Sequence, residues 1–380
     1  MNSKKAKAFI LNNFKILFLS ISIGLFACAI SIFAFSSPGA NQTPNGNPIF
    51  WLLSGTSMYY TAGNVGIGTN SPAATLDVGG TTGMKIPVGT TAQRPVSPVV
   101  GTMRFNTDIS RIEIYNGTTW GGVSATGGTV VDIGGYRIHT FTTGGTFTVT
   151  AGGNIEVLVV AGGGGGGGGT SFSAVGGGGG AGGLIYNSSF AVGPQAYTVI
   201  IGGGGNGGDA SGGQAGFNGQ NSVFGSLAAI GGGGGANDGN GNGGASQGAT
   251  GGSGGGSSYW NYNGTLAGGL GTSGQGYAGG VVTSNGTGRS GGGGGGAGGV
   301  GGVGTGNGGI ATPGPGLAYS ISGSTVTYAT GGSTTGIAET PGPSGAANTG
   351  NGGWGANSSS GGHNPGGSGG SGIVIIRYPI

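Results

Sequence analysis

The sequence predicts an all-β, non-helical fold: a region of short strands, then a glycine-rich domain of β-strands and packed polyglycine-II-like helices, with one apolar helix at the N-terminus. Glycine supplies 108 of the 380 residues, far above the roughly 7% of ordinary proteins. Glycine destabilises an α-helix by about 1 kcal/mol per residue, and only the N-terminal run suits a helix. Charged residues are 5% of the chain and mean hydropathy is +0.10, unlike the charged, apolar-poor composition of disordered chains.

Residues 1–36 predict an export signal. Four lysines (Lys4, Lys5, Lys7 and Lys15) precede an apolar run over residues 16–35, which is the layout of a signal peptide. About 20 apolar residues are also enough to span a bilayer. A cleaved signal peptide and an uncleaved signal anchor therefore both remain open. In either case we expect the rest of the chain to be exported, to the cell surface or the extracellular space, with membrane contact only through residues 16–35.

The basic character of the chain comes from this N-terminal segment. Without its four lysines, seven basic residues face eight acidic ones, a net charge of −1. We therefore expect no nucleic-acid partner. Cys28 is the single cysteine and lies inside the apolar run, so neither disulfides nor thiolate metal sites are expected to hold the exported part together.

Residues 37–60 predict a linker, because the segment begins with a stretch rich in proline, asparagine and serine. Residues 61–123 predict short strands, of which a hairpin at 101–120 is the clearest. With a turn at 107–110, opposite charges meet on one face and apolar side chains on the other. The predicted pairs are Met103 with Ile114, Arg104 with Glu113, and Phe105 with Ile112.

Residues 124–380 predict strands that alternate with glycine segments. Strand patterns occur at 136–140, 146–150, 155–160, 196–201, 222–230, 317–328 and 372–379, and glycine segments at 162–169, 176–180, 202–205, 231–235 and 291–296. Ordering one residue costs roughly 1–2 kcal/mol, whereas a backbone hydrogen bond returns ~0.5–1.5 kcal/mol. The glycine segments can therefore be ordered only if they lie side by side and pair nearly every N–H and C=O. A polyglycine-II-like helix, with three residues per turn, permits this; a flexible linker is the alternative.

Two parts of the chain resemble known families. The segments NVGIGTNSPAATLDV and GTTAQRPVSPVVGTMRFNTDISRIEIYNGTTW, within Asn64–Trp120, resemble recurring parts of phage tail-fibre proteins and related bacterial surface proteins, which implies a fibrous, often trimeric β stalk. IEVLVVAGGGGGGGG, YTVIIGGGGNGG and SGIVIIRYP, within Gly134–Ile380, resemble the glycine-rich domain of tail-tip adhesins and microbial exported glycine-rich proteins. That resemblance implies a distal domain whose variable loops bind surfaces. A homotrimer or other self-association remains open.

The candidate ligand contacts are aromatic. The loops between glycine segments are predicted to expose Tyr259, Trp260, Tyr262, Tyr277 and Trp354. Tyrosine and tryptophan with few charges nearby suit stacking on sugar rings or anchoring a protein interface, so a cell-surface glycan or protein is the expected ligand. The alternative is that these side chains cap the ends of the glycine bundle as small hydrophobic clusters.

The sequence predicts no catalytic, cofactor or metal site. His139 and His363 are the only histidines, and neither has a carboxylate beside it in the sequence. The eight acidic residues are scattered singly, and chance G-x-G-x-x-G matches carry no weight at this glycine frequency. His139, in the strand-like YRIHTF, is expected to be a packed histidine.

These observations lead to a non-enzymatic, exported adhesin or ligand-binding protein as the first hypothesis. The alternative is a structural subunit of an extracellular filament or matrix, with glycine segments pairing between chains. Ice or mineral binding ranks third, because the G-x-x triplets that it needs occur only at 213–219 and 268–274.

Overall fold

The computed structural model of the protein describes residues 52–54, 57–59, 63–108, 110–115, 117, 120–169, 175–209, 213–237, 244–285, 288–306, 308–336, 340–358 and 362–380. The described residues fall into two compact units, divided between Lys85 and Ile86. The predicted signal or anchor, with its apolar run 16–35, lies outside the described residues. In the described ranges no helix has the length and apolar character to cross a membrane.

The first unit contains two small strand pairs. Strands β1 (Leu52–Ser54) and β2 (Ser57–Tyr59) pair antiparallel. Strands β3 (Val65–Ile67) and β4 (Leu76–Val78) pair parallel.

The second unit begins with a four-stranded sheet that contains the predicted hairpin. Its strands are β5 (Val88–Gly89), β6 (Met103–Asn106), β7 (Arg111–Tyr115) and β8 (Trp120–Gly121), with one 3-10 turn at Thr91–Gln93. The predicted register is confirmed, since Met103 faces Ile114, Arg104 faces Glu113 and Phe105 faces Ile112.

The charged face of this hairpin is buried. Arg104 and Glu113 are buried, whereas Met103, Ile112 and Ile114 are exposed. Glu113 also receives the guanidinium of Arg94, with Nη2 and Oε2 at 2.7 Å. The carboxylate is thereby satisfied inside the protein, and the apolar side chains are left in solvent.

The remaining strands include those of the predicted segments and others that the sequence pattern did not predict, at 124–133, at 184–192 and between 245 and 305. They are β9 (Ser124–Thr126), β10 (Thr129–Ile133), β11 (Tyr136–Phe141), β12 (Gly145–Ala151), β13 (Gly153–Val160), β14 (Leu184–Val192), β15 (Ala196–Ile200), β16 (Ser222–Phe224), β17 (Leu227–Ala229), β18 (Ala245–Ser246), β19 (Ser258–Trp260), β20 (Asn263–Leu266), β21 (Val282–Asn285), β22 (Arg289–Gly291), β23 (Gly304–Thr305), β24 (Leu317–Tyr319), β25 (Val326–Tyr328) and β26 (Ile373–Pro379). The prediction of an all-β fold is confirmed for the described residues.

Two five-stranded antiparallel sheets form the base of the second unit. One has the order β10-β11-β26-β13-β14 and the other β17-β16-β15-β12-β9, while β18-β19-β22, β20-β21-β23 and β24-β25 form smaller sheets. Strand β13 lies in the interior of the first sheet, and both of its faces are covered. Val157 and Val159 pack in the cluster that includes Phe147 and Phe224 of the second sheet. Leu158 and Val160 pack in a separate cluster on the opposite face. Burial of both faces explains why this strand is a continuous apolar run.

The glycine segments run beyond these sheets and bond to one another through their main chains. Successive N–H groups of residues 162–169 donate to three different segments in turn, at 2.8–3.0 Å. Gly162, Gly165 and Gly168 donate to residues 214–220, and the two positions between them donate to 364–370 and 176–183. The partner segment therefore repeats every third residue.

Four segments lie in the interior of this bundle. Residues 162–168 also accept hydrogen bonds from three further segments, at 202–208, 231–235 and 353–356, so six neighbours surround them. Residues 176–183, 252–257 and 291–297 have six bonded neighbours in the same way, and the described glycines of all four segments are buried. A Cβ atom on any of residues 162–168 would overlap a backbone carbonyl oxygen of a neighbouring segment. Only glycine permits so close an approach.

Candidate functional site

The five candidate aromatic residues lie in different surroundings. Tyr259 is in strand β19 and only 1% exposed. The expectation that it lies exposed in a loop is wrong, because β19 pairs with both β18 and β22 and turns this ring inward. Tyr259 therefore supports its neighbours and does not reach a ligand.

Trp260 is the last residue of β19, the central strand of the same small sheet, and Tyr262 lies two residues beyond it; both are half-buried. The Trp260 N–H donates to the Gly244 carbonyl at 2.9 Å, and Trp260 is opposite Arg289 of strand β22. Asn261 follows with a φ of 48°, a left-handed conformation that asparagine tolerates. Its side chain accepts a hydrogen bond from the Gly288 N–H at 3.1 Å, which holds the end of the sheet in place.

Tyr277 borders a groove with a volume of about 560 Å³. The tyrosine is 50% exposed, and three aliphatic side chains beside it are exposed as well: Leu270, Val300 and Leu317. The backbone under the ring is fixed on both sides, since the Tyr277 N–H donates to Gly296 and its carbonyl accepts from Gly254. The groove thus combines exposed apolar side chains with polar groups, and hydrogen bonds hold the backbone at Tyr277.

The turn that forms one wall of this groove is held by Gln275. Its side-chain oxygen accepts a hydrogen bond from the Ile230 N–H at 2.8 Å, and its side-chain nitrogen donates to the Ala228 carbonyl at 3.1 Å. Gly274 has a φ of 77°, which a residue with a side chain adopts at a cost. These contacts position the loop before Tyr277 without any metal or disulfide.

Trp354 lies on another part of the bundle surface and is 37% exposed. Its N–H donates to the Pro343 carbonyl at 3.0 Å, and its own carbonyl accepts from Gly367 at 2.9 Å. Neighbouring segments on two sides therefore hold its backbone.

The structure does not bring the five aromatic residues together. Tyr259 lies near the Val175 end of segment 176–183, because the hydroxyl of the preceding Ser258 donates to Val175. Tyr277 lies near the Ala181 end, since Tyr277 and Ala181 donate to Gly296 and Gly295 respectively. Trp354 lies between these levels, following Gly353, which accepts from Gly179. No ring contact joins any two of the five among the described residues.

Sequence reasoning missed the aliphatic part of the Tyr277 groove. Leu270, Val300 and Leu317 come from three separate segments; Leu270 and Val300 are each flanked by glycines, whereas Leu317 begins the predicted strand pattern at 317–328. A large apolar side chain that is flanked by glycines has no apolar neighbours in its own segment to pack against, so it is expected at the surface. This pattern is the sequence signal that could have identified such residues.

The histidine prediction is confirmed at His139, which is fully buried. Its Nδ1 lies 2.7 Å from the Gly127 carbonyl oxygen, which can only accept, so Nδ1 carries a proton and donates. Nε2 lies 2.9 Å from the Tyr378 hydroxyl. Burial lowers the pKa of His139; the Gly127 carbonyl opposes this shift, Arg137 adds to it and Asp132 opposes it. Among the described residues no three His, Cys, Asp or Glu side chains form a group that could hold a metal ion.

Protonation of His139 is expected to make stability depend on pH. Because its pKa is lowered in the folded state, the unfolded chain binds the proton more tightly. The free energy of unfolding should be constant above the ordinary histidine pKa of about 6.5 and should fall by up to about 1.4 kcal/mol per pH unit below it. Urea unfolding between about pH 7.5 and 5 measures this slope.

The matched control for this titration is His139→Gln, which retains exposed His363. The pKa values of Glu113 and Asp132 are both lowered from those of ordinary carboxyl groups, so their protonation contributes at lower pH. An equal slope in the His139→Gln variant would show that another group is responsible.

A comparison with protein families gives one match. A family model described as a glycine-rich domain matches residues 140–379. No curated protein sequence matches the chain. The matched range contains strands β12 to β26, the glycine bundle and all five aromatic candidates.

Proposed function

Because the chain belongs to the glycine-rich domain family, we propose that it is an exported, non-enzymatic protein whose glycine bundle presents ligand-contact side chains at the cell surface or outside the cell. The observation that carries the proposal is the Tyr277 groove, in which exposed apolar side chains lie beside a tyrosine whose backbone N–H and carbonyl are both hydrogen-bonded. A fixed support reduces the entropy that is lost when a ligand is bound. The lysine-flanked apolar run 16–35 supports export.

The glycine segments, in the same proposal, are polyglycine-II helices. Two observations support this description. Hydrogen-bond partners return every third residue, as expected of a helix with three residues per turn. None of residues 162–168 has a positive φ, so all of them fit one continuous extended helix.

Tyr277→Ala should weaken binding of the protein to its ligand by about tenfold or more, since buried aromatic anchors contribute about 2 kcal/mol or more to an interface. Binding of the purified chain to a glycan array and to bacterial and animal cells measures the effect. Leu270→Ser should act in the same direction, because it borders the same groove.

Phe217→Ala is the control for this experiment. Phe217 is also an exposed aromatic residue on a glycine-bundle segment, but it does not border the groove. Equal binding by the unmodified protein and Tyr277→Ala would remove the groove as the contact surface. Trp354→Ala then tests the second exposed aromatic.

A second candidate function is a subunit of a filament or of a trimeric stalk. One observation favours it: Met103, Ile112 and Ile114 form an apolar face on the hairpin of β6 and β7 and are exposed in the single chain. Copies that associate through this face would bury it, in line with the resemblance of Asn64–Trp120 to tail fibres. Sedimentation over a range of concentrations distinguishes the cases, since a filament grows with concentration, a trimer stops at three copies and a monomer excludes both.

A further inference from the structure

Arg289 has no charge partner among the described residues. Its guanidinium has no hydrogen bond with those residues either, and its Nε is enclosed and unpaired. Burial lowers the pKa of Arg289. The other arginines with described side chains all face a carboxylate: Arg94 and Arg104 face Glu113, Arg137 faces Asp132, and Arg377 faces Glu156.

An unpaired, half-buried guanidinium lowers the stability of a fold, because it gives up water without gaining an opposite charge. The only charged residues of the glycine-rich part after residue 161 are Asp209, Asp238, Arg289, Glu339 and Arg377. In so uncharged a region, a guanidinium that pairs with no carboxylate of the described residues points to a partner from outside. With Nε enclosed, the two terminal nitrogens are the atoms that this partner meets.

Trp260 lies directly across the strand pair from Arg289. Opposed side chains of an antiparallel pair have Cβ atoms about 4.5–5.5 Å apart and share one face of the sheet. No cation–π contact joins the two among the described residues, so the indole and the guanidinium are separate contact points.

We propose that Arg289 and Trp260 form a binding site for an acidic saccharide, in which the guanidinium binds a carboxylate or sulfate group and the indole packs against the sugar ring. Arginine binds such groups through two parallel N–H···O bonds, which lysine cannot reproduce. Tryptophan supplies a large, rigid apolar surface with a polar edge. The side chains that meet here are donors, so the site favours an anion over a cation. The site rests on the proposed ligand-binding role and names its ligand class.

The test is calorimetric titration of the full chain with three oligosaccharides: oligogalacturonate, which carries carboxylates; sulfated dextran; and neutral dextran. We expect binding of at least one charged oligomer and none of neutral dextran. Arg289→Gln should weaken that binding about tenfold or more, since a hydrogen bond to a charged group is among the strongest that proteins make. Arg289→Lys should lose most of it as well, because it retains the charge but not the planar fork. The charged oligomer that binds more tightly identifies the group.

Arg137→Gln is the matched control, since Arg137 is a partly exposed arginine that is already paired with Asp132. An equal loss in Arg137→Gln, or no binding of either charged oligomer by the unmodified chain, overturns the inference. Thermal melting checks that Arg289→Gln is folded. If Arg289→Gln is unfolded, the inference is tested instead by Trp260→Ala, which should also weaken binding, and by the salt dependence of binding by the unmodified chain. Binding that does not weaken with salt up to about 0.5 M would contradict a contact with Arg289. Cell binding that is lost in Tyr277→Ala and retained in Arg289→Gln removes this inference alone.

Discussion

Replacing Gly165 with alanine is expected to lower the free energy of unfolding by about 3 kcal/mol or more. Gly165 lies in an interior segment of the bundle, and a Cβ at this position would overlap the carbonyl oxygen of Asn206. The overlapping atom belongs to a backbone that is itself bonded on the far side, so it cannot move away alone. Urea unfolding of the purified variant measures the loss, and amide exchange of residues 162–168 shows whether the bundle opens.

Gly193→Ala is the matched control for this substitution. Gly193 follows strand β14, is exposed and has no atom within 4 Å of the position that a Cβ would occupy. Its φ is not positive, so alanine fits and restricts the unfolded chain, which changes stability by at most about 1 kcal/mol in the favourable direction. If the two variants were equally stable, close approach of the glycine segments would not be what holds the domain together.

The second large effect is expected for Glu113→Gln, which should destabilise the fold by about 3 kcal/mol. Burial alone would raise the pKa of Glu113, but hydrogen bonds from Arg94 and Asn106 and the charges of Arg94 and Arg104 lower it. The carboxylate is thus ionised and fully enclosed. Glutamine retains the shape but removes the charge that compensates Arg104, whose Nη1 is already enclosed without a partner.

Asp132→Asn serves as the comparison for Glu113→Gln. Asp132 also pairs with an arginine at 2.7 Å, but the side chains of Asp132 and Arg137 are 41% and 34% exposed. Water screens such a pair, so its loss should cost less than about 1 kcal/mol. Thermal or urea unfolding at neutral pH separates the two cases. Similar losses in both variants would mean that burial of Glu113 adds nothing to its contribution.

The strands could be predicted from the sequence because their side chains carry a pattern. Alternation and opposite charges gave the register of the β6–β7 hairpin, and the apolar run at 155–160 predicted a strand there. The buried side of the hairpin could not be predicted in this way. Pattern reasoning favours apolar side chains in the interior, but here the fit of one carboxylate between Arg94 and Arg104 decided which face is enclosed.

The arrangement of the glycine segments was beyond sequence reasoning for a different reason. Glycine has no side chain, so nothing in residues 162–169 says which six segments will surround them. The positions of the candidate site residues could not be predicted from the sequence either. Tyr259 and Trp260 are adjacent in the same central strand, yet the first is buried and the second half-buried, because successive side chains of a strand point to opposite faces. The groove at Tyr277 depends on three distant segments that only the fold brings together.

The three-residue repeat of the glycine contacts has a consequence for alignment of the chain. A glycine segment that is shifted along its neighbours by three residues would form the same kinds of main-chain hydrogen bonds as before. The hydrogen bonds inside the bundle therefore do not distinguish one alignment from the next. Only the ends distinguish them. Strand β13 is paired on both sides and ends immediately before Ala161. Its side chains fix the position of the chain at that point and so select one alignment of the glycine segment that follows.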